Sequence, residues 1–300
     1  MMRRRGFAAI ALVCTTFVSA AAQETVKQLP ARVELQELRI AQGAGRLPVV
    51  VFMSGAGGIP GGIDLLTSEF NSIGISTFVV DPFAGRGVVS VLNDNTRLDR
   101  LTAIVDAYRV LQMLAVHPRV DPNRIALMGA SYGGHTALYA SLRRFQKMWS
   151  TSGVEYAAYI PFYASCARIY LSDTDTSDHP IRMFHGTGDD WNPIAPCRAY
   201  VQRLRAAGRD VELTEYPDAR HGFDYAVFPA MQLVADAQVG GFCAIHEDRA
   251  GVLINTATMR PFPWADACVT RGAHVGFDSM AAAASHLAVD GFLKSLFKLK

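Results

Sequence analysis

The sequence predicts an α/β fold, a mostly parallel central sheet with helices on both faces, from three observations. Short apolar or β-branched runs alternate along the chain with segments of helical periodicity, the pattern of strands joined by crossover helices. The strongest run, Pro-Val-Val-Val-Phe-Met at 48–53, is continuously apolar rather than alternating, as a strand covered on both faces requires. Neither an internal repeat nor a linker interrupts the series, so residues 23–300 read as one domain.

The elements follow in order. Residues 23–47 form a polar lead-in with one or two short edge strands, from the alternation of Val33, Leu35, Leu38 and Ile40. The run at 48–53 is the first buried strand, and Ser54-Gly55-Ala56-Gly57-Gly58 closes it as a tight loop. Thr77 to Val80 is β-branched and ends in Asp81-Pro82. Leu98, Leu101, Val105, Tyr108, Leu111 and Ala115 recur at helical spacing, and Pro118 stops that helix. A strand at 124–128, a helix at 134–145 and strands at 156–163 and 181–184 come next. A helix at 195–207, a strand at 211–216 and an apolar-periodic helix at 280–297 complete the chain.

The first 22 residues carry a different message. Arg3, Arg4 and Arg5 precede a short apolar run from Ala8 to Ala20, and Ala20-Ala21-Ala22 supplies small residues for a signal peptidase. The run is too short for a good membrane span, so a secreted or periplasmic protein without stable membrane insertion is expected. Without those three arginines, 29 basic residues become 26 against 27 acidic ones. The apparent basicity belongs to the leader, and no electrostatic case for nucleic acid remains. Cysteines drop from five to four, namely Cys166, Cys197, Cys243 and Cys268, the even number that disulfides in an exported chain require.

The chemistry concentrates in Gly129-Ala130-Ser131-Tyr132-Gly133, directly after a strand and before a helix. A serine wedged there sits in a sharp turn that projects its hydroxyl, and small neighbours let the chain approach itself. The backbone N–H of Tyr132, at the helix start, is placed to hold a developing oxyanion. The serine needs a base, and the base an orienting carboxylate. The acid is expected in the loop His185-Gly186-Thr187-Gly188-Asp189-Asp190-Trp191-Asn192-Pro193, the base at His221 in the loop 216–224. Each loop follows a strand, so all three groups lie at carboxyl ends of the sheet. His185 and His135 read as structural, and the remaining histidines show no ligand spacing, so no metal and no cofactor is expected.

Taken as a set, the strand and loop at 48–58, Asp81-Pro82-Phe83 with Arg86-Gly87, the serine elbow and the acid and histidine loops resemble the dienelactone hydrolase family of the α/β-hydrolase fold, its exported members especially. The resemblance implies that the acid is the aspartate four residues before the loop proline, which selects Asp189, with Pro193, over Asp190. It implies a second oxyanion donor in the first glycine loop, at Ala56 or else Gly57. It makes Arg86 a candidate for steering a substrate carboxylate, against the alternative of a salt bridge holding its own loop. Two departures stand out: the nucleophile is Ser131 where several members use cysteine, and the first loop begins Ser54-Gly55 where His-Gly is usual.

The expected activity is hydrolysis of a small ester or lactone through an acyl-enzyme on Ser131. A non-catalytic binding protein of the same fold and a peptidase of the same fold are the alternatives. The segment 225–275 intervenes between the histidine and the terminal helix, carries Cys243 and Cys268, and is left open as a cap or surface decoration. If the strands at 156–163 and 181–184 are neighbours, their carboxyl-end loops lie side by side. Cys166 then pairs with Cys197, and Cys243 with Cys268 inside the insertion.

Overall fold

A computed structural model describes residues 34–299. The leader expected at 1–22, its cleavage site and Val33 lie outside the described residues. A seven-stranded sheet runs through the molecule. Its strands are β1 (Glu34–Arg39), β2 (Leu47–Met53), β3 (Ser76–Asp81), β4 (Val120–Ala130), β5 (Ala158–Phe162), β7 (Ile181–Gly186) and β8 (Val211–Tyr216), with the short β6 (Arg168–Ile169) outside it. The order is β1-β3-β2-β4-β5-β7-β8. Every pairing is parallel except that of β1 with β3 at the edge.

The continuous apolar character of β2 comes from two cores. Val49, Val51 and Met53 face one with Leu111, Tyr139 and Leu204, whereas Val50 and Phe52 face the other with Phe70, Val289 and Leu293. Each such buried side chain contributes about 1.5–3 kcal/mol. The first core packs helices α2 (Arg100–Ala115), α3 (Tyr132–Tyr139), α4 (Arg143–Trp149) and α5 (Ile194–Ala206) on one face; α1 (Ile63–Ser72) and α6 (Ser279–Phe297) cover the other. Asp99 caps α2 by accepting from Leu101 N–H, and Asp278 caps α6 by accepting from the N–H groups of Met280 and Ala281.

Three differences from the sequence reading have identifiable causes. The helix expected at 134–145 is two helices. The Tyr108 hydroxyl donates to Ala140 O (2.7 Å), and Arg143 N–H donates to Asp175 O (3.0 Å), so tertiary partners take the groups that would continue it. Helix α1 was not anticipated, because its buried side chains are only Thr67 and Phe70. The segment after the histidine holds five short strands: β9 (Gln232–Val239), β10 (Ile245–Glu247), β11 (Leu253–Asn255), β12 (Arg260–Pro261) and β13 (Thr270–Val275). It is stitched to the body rather than appended. Strand β10 pairs in parallel with β6, and Ile245, Leu253, Phe262 and Trp264 enter the core of α2 and α3. Disulfides join Cys166 to Cys197 and Cys243 to Cys268. Strands β5 and β7 are neighbours, the condition on which the first pairing was argued. Among the described residues no helix is long and apolar enough to cross a membrane.

Candidate active site

Ser131 stands between β4 and α3 with φ 56° and ψ −109°, a positive-φ conformation that a non-glycine residue occupies only when its surroundings enforce it. Glycine is required on both sides of the serine. A Cβ on Gly129 would collide with the Gly133 carbonyl, and one on Gly133 with the Met53 carbonyl. Ser131 N–H donates to Phe162 O (3.0 Å), and Ser131 O accepts from His135 N–H (2.9 Å). The serine is thus fastened to β5 and to its own helix.

Ser131 Oγ lies 2.8 Å from His221 Nε2, and His221 Nδ1 lies 2.8 Å from Asp189 Oδ2. A carboxylate partner makes Nδ1 the protonated nitrogen, which leaves Nε2 as an acceptor facing the serine hydroxyl. The other oxygen, Asp189 Oδ1, accepts from the N–H groups of Trp191 (2.9 Å) and Asn192 (2.8 Å). Burial disfavours the Asp189 carboxylate, but His221 and His185 outweigh it and hold its pKa well below the ordinary range. The acid and histidine loops are laced together: Asp218 N–H donates to Thr187 Oγ1 (2.8 Å) and Gly188 N–H to Ala219 O (3.0 Å). His185 is structural, its Nε2 donating to Asn192 O (2.7 Å). His135, behind the serine, is buried against Tyr170.

A cavity of about 370 Å³ opens over Ser131 and His221. Ala56 and Gly57 line it, and the Ala56 carbonyl is turned toward the neighbouring segment, accepting from Val91 N–H (2.9 Å) and the Ser90 hydroxyl (3.1 Å). Tyr132 contributes no side chain to the cavity; its hydroxyl donates to Asp99 O (3.0 Å). Sequence reasoning missed the aromatic walls. Trp191 and Tyr163 flank the His221 ring at centroid distances of 5.0 and 4.7 Å, and the Tyr163 hydroxyl donates to Asp224 Oδ1 (2.9 Å). Tyr225, Phe228 and Val275 complete the wall, so both ends of the segment 225–275 reach the site. The signal for Trp191 was its place inside the acid loop; nothing local marked Val275.

Arg86 requires a correction. It is absent from the cavity lining and makes a two-pronged pair with Asp106, at 2.7 and 2.8 Å, while also donating to Pro82 O (2.6 Å). The Asp106 side chain is fully buried and that of Arg86 is 12 % exposed, so the guanidinium answers a buried carboxylate and is not available to a substrate.

Comparison with known proteins bears on what this geometry serves. The family model described as the dienelactone hydrolase family matches residues 38–237, a span that contains Ser131, Asp189 and His221. The chain belongs to the dienelactone hydrolase family. It is a carboxylic ester hydrolase of that family's α/β fold. Solved structures with the same fold include a thermophilic esterase from Thermogutta terrifontis with propionate bound (20% identity, TM-score 0.50, 69% of this chain and 86% of that one). A Klebsiella pneumoniae protein assigned to the dienelactone hydrolases matches at 17% identity and TM-score 0.52, over 68% and 88% of the two chains. A dienelactone hydrolase-like promiscuous phosphotriesterase from metagenomic libraries matches at 16% identity and TM-score 0.55, over 85% and 88%. No curated protein matches the sequence. Among the described residues no group of three or more His, Cys, Asp or Glu side chains is arranged to hold a metal ion.

Proposed function

We propose that this dienelactone hydrolase family member cleaves a small ester or lactone with Ser131 as nucleophile, His221 as base and Asp189 as orienting acid. The observation that carries the reading is His221, which bridges Ser131 and Asp189 with 2.8 Å contacts on its two nitrogens. His221 Nε2 takes the Ser131 proton as Oγ attacks the carbonyl carbon, and Asp189 stabilises the imidazolium that forms. The oxyanion is held by the backbone N–H groups of Tyr132 and Ala56. His221 then protonates the departing alkoxide, and water activated by the same histidine releases the acid and restores Ser131.

The same reading takes residues 23–300 as one catalytic domain, with 225–275 as an insertion that walls the site, and 1–22 as a signal peptide. Two disulfides, together with the absence of a membrane-spanning helix among the described residues, are compatible with an extracellular location. A secreted or periplasmic protein follows from adding the basic, apolar and small-residue order of the leader. A complete nucleophile–base–acid arrangement favours catalysis over a binding-only role.

The test is a fluorophosphonate probe with the Ser131→Ala variant. The wild type should be labelled at Ser131 and hydrolyse aryl esters. The variant should keep its fold and lose several orders of magnitude in turnover. Undiminished turnover in a variant free of contaminating esterase overturns the assignment.

A further inference from the structure

Ser131, Asp189 and His221 come from three separate loops, and the chain leaving β5 touches all three. Phe162 O, at the end of β5, accepts from Ser131 N–H (3.0 Å) and so fixes the serine turn. The next residue, Tyr163, gives its N–H to Phe184 O (2.7 Å) in β7, just ahead of the loop at 185–193. Its carbonyl accepts from Asn192 Nδ2 (2.9 Å) inside that loop, and Asn192 N–H is one of the two donors to Asp189 Oδ1. Its hydroxyl donates to Asp224 Oδ1 (2.9 Å) in the loop at 216–224, three residues beyond His221.

Tyr163 occupies this place at a conformational cost. Its φ is 35°, a positive value that glycine adopts freely and an aromatic residue only under constraint. Had the backbone alone decided, glycine would serve better, so the side chain supplies what offsets the strain. The buried ring stands 4.7 Å from the His221 ring and 5.7 Å from that of Phe223, centroid to centroid. Phenylalanine would make the same ring contacts, which leaves the hydroxyl to be explained. Burial pushes the phenol's pKa up, so at neutral pH it is a donor. Among the described residues no other side chain hydrogen-bonds the Asp224 carboxylate, and Asp224 does not line the cavity. Elsewhere, His221 O and Phe223 O accept from the N–H groups of Gly276 and Asp278 (3.1 and 2.9 Å). Those bonds tie the loop to the segment beyond it, whereas the Tyr163 hydroxyl ties it to the sheet that carries Ser131.

We propose that Tyr163 is a positioning residue for the base: through Asp224, its hydroxyl holds the loop at 216–224 in register with the serine turn. His221 Nε2 is thereby kept within hydrogen-bond reach of Ser131 Oγ. The proposal rests on the assignment of Ser131 as nucleophile and His221 as base. The Tyr163–Asp224 bond then serves kcat rather than substrate binding, since the ring that lines the cavity does not depend on it.

The test compares Tyr163→Phe, Asp224→Asn, Asp224→Ala and the Tyr163→Phe/Asp224→Ala pair with the wild type on 4-nitrophenyl butanoate. Rates are expressed per site that a fluorophosphonate labels at completion, so that unfolded protein does not count. Tyr163→Phe should lower kcat about tenfold, leave KM within about twofold and slow the labelling by a similar factor. Asp224→Asn keeps an amide oxygen that accepts from the hydroxyl, and should stay within about threefold of the wild type. Asp224→Ala should fall to the level of Tyr163→Phe, and the double variant no further. A bond that merely stabilises the fold would lower thermal midpoints and leave kcat per labelled site unchanged. That result, a loss confined to KM, or an Asp224→Asn variant as impaired as Asp224→Ala would each overturn the proposal while the wild type is still labelled at Ser131. Absence of labelling in the wild type would instead overturn the serine assignment and this proposal with it.

Discussion

Asp189 and Asp190 are adjacent in the chain and serve different histidines. Asp189 Oδ2 meets His221 Nδ1 at 2.8 Å, whereas Asp190 Oδ2 meets His274 Nδ1 at 2.7 Å and Asp190 Oδ1 accepts from His274 N–H at 2.8 Å. One carboxylate faces His221, and its neighbour ties the loop at 185–193 to β13. Asp189→Asn should therefore lower kcat by roughly 10³–10⁴-fold, because an amide no longer holds the imidazole in the required tautomer. Asp190→Asn breaks a pair that is more than one-third exposed on average, an interaction worth about 0–1 kcal/mol, and should change kcat/KM by less than about fivefold. Steady-state kinetics on one ester decides the order; reversed severities would reassign the acid.

The depressed pKa of Asp189 shapes the pH response. A carboxyl held below its ordinary value contributes stability that is present above about pH 4 and lost only as pH falls through the lower folded value. Between about pH 4 and 7 Asp189 therefore stays ionised and adds no acid limb of its own. The proposed mechanism needs a base in its neutral form, so an acid limb must come from a group other than Asp189. Activity should climb from acid toward neutral pH and then level off. A kcat/KM profile flat from strongly acid conditions upward would count against His221 as base.

Arg86 should matter for folding rather than for substrate choice. Arg86→Met strands the buried Asp106 carboxylate, and removing one partner of such a pair costs about 3–5 kcal/mol. Burial already pushes Asp106 up to about 6 against the opposing pull of Arg86. A carboxyl raised in the folded state contributes stability that is full below its unfolded value of 3.8 and lost as pH rises through about 6. In the variant that loss should extend to higher pH. Thermal midpoints measured from pH 4 to 8 test this, and a variant as stable as the wild type but altered in selectivity toward charged esters would restore Arg86 to the site.

The two disulfides should separate by their effect on activity. They span 31 and 25 residues of sequence, so restricting the unfolded chain stabilises by roughly 3–4 kcal/mol in each case. Cys166–Cys197 joins the exit of β5 to the first turns of α5, and so holds the acid loop between β7 and α5 against its neighbour. Cys243–Cys268 closes a loop within the insertion. Replacing Cys166 and Cys197 by serine should therefore reduce kcat more than replacing Cys243 and Cys268, with similar falls in midpoint. Paired measurements of midpoint and kcat check this; equal kcat losses would remove the special link to the acid loop.

Much of the site was legible because its signals are local. A strained strand-to-helix turn demands Gly129 and Gly133 around Ser131 whatever else the chain does, and loops that leave parallel strands carry polar residues to one end of the sheet. Strand and helix positions followed likewise from apolar runs and periodicity. The break between α3 and α4 was illegible, because it depends on Tyr108 and Asp175, groups distant in sequence that capture backbone partners there.

By itself the sequence determined the α/β order, the candidate site loops, the cysteine pairing once β5 and β7 were taken as neighbours, and the family resemblance. Each rests on period, turn chemistry or spacing along the chain. Only the tertiary structure decided that Arg86 is spent on Asp106 and that Tyr225, Phe228 and Val275, from the two ends of the segment after His221, line the cavity. Those outcomes depend on which side chains meet across long sequence separations, where an arginine 20 residues from its carboxylate and a valine 54 residues after the histidine come into contact through packing, which no local pattern encodes.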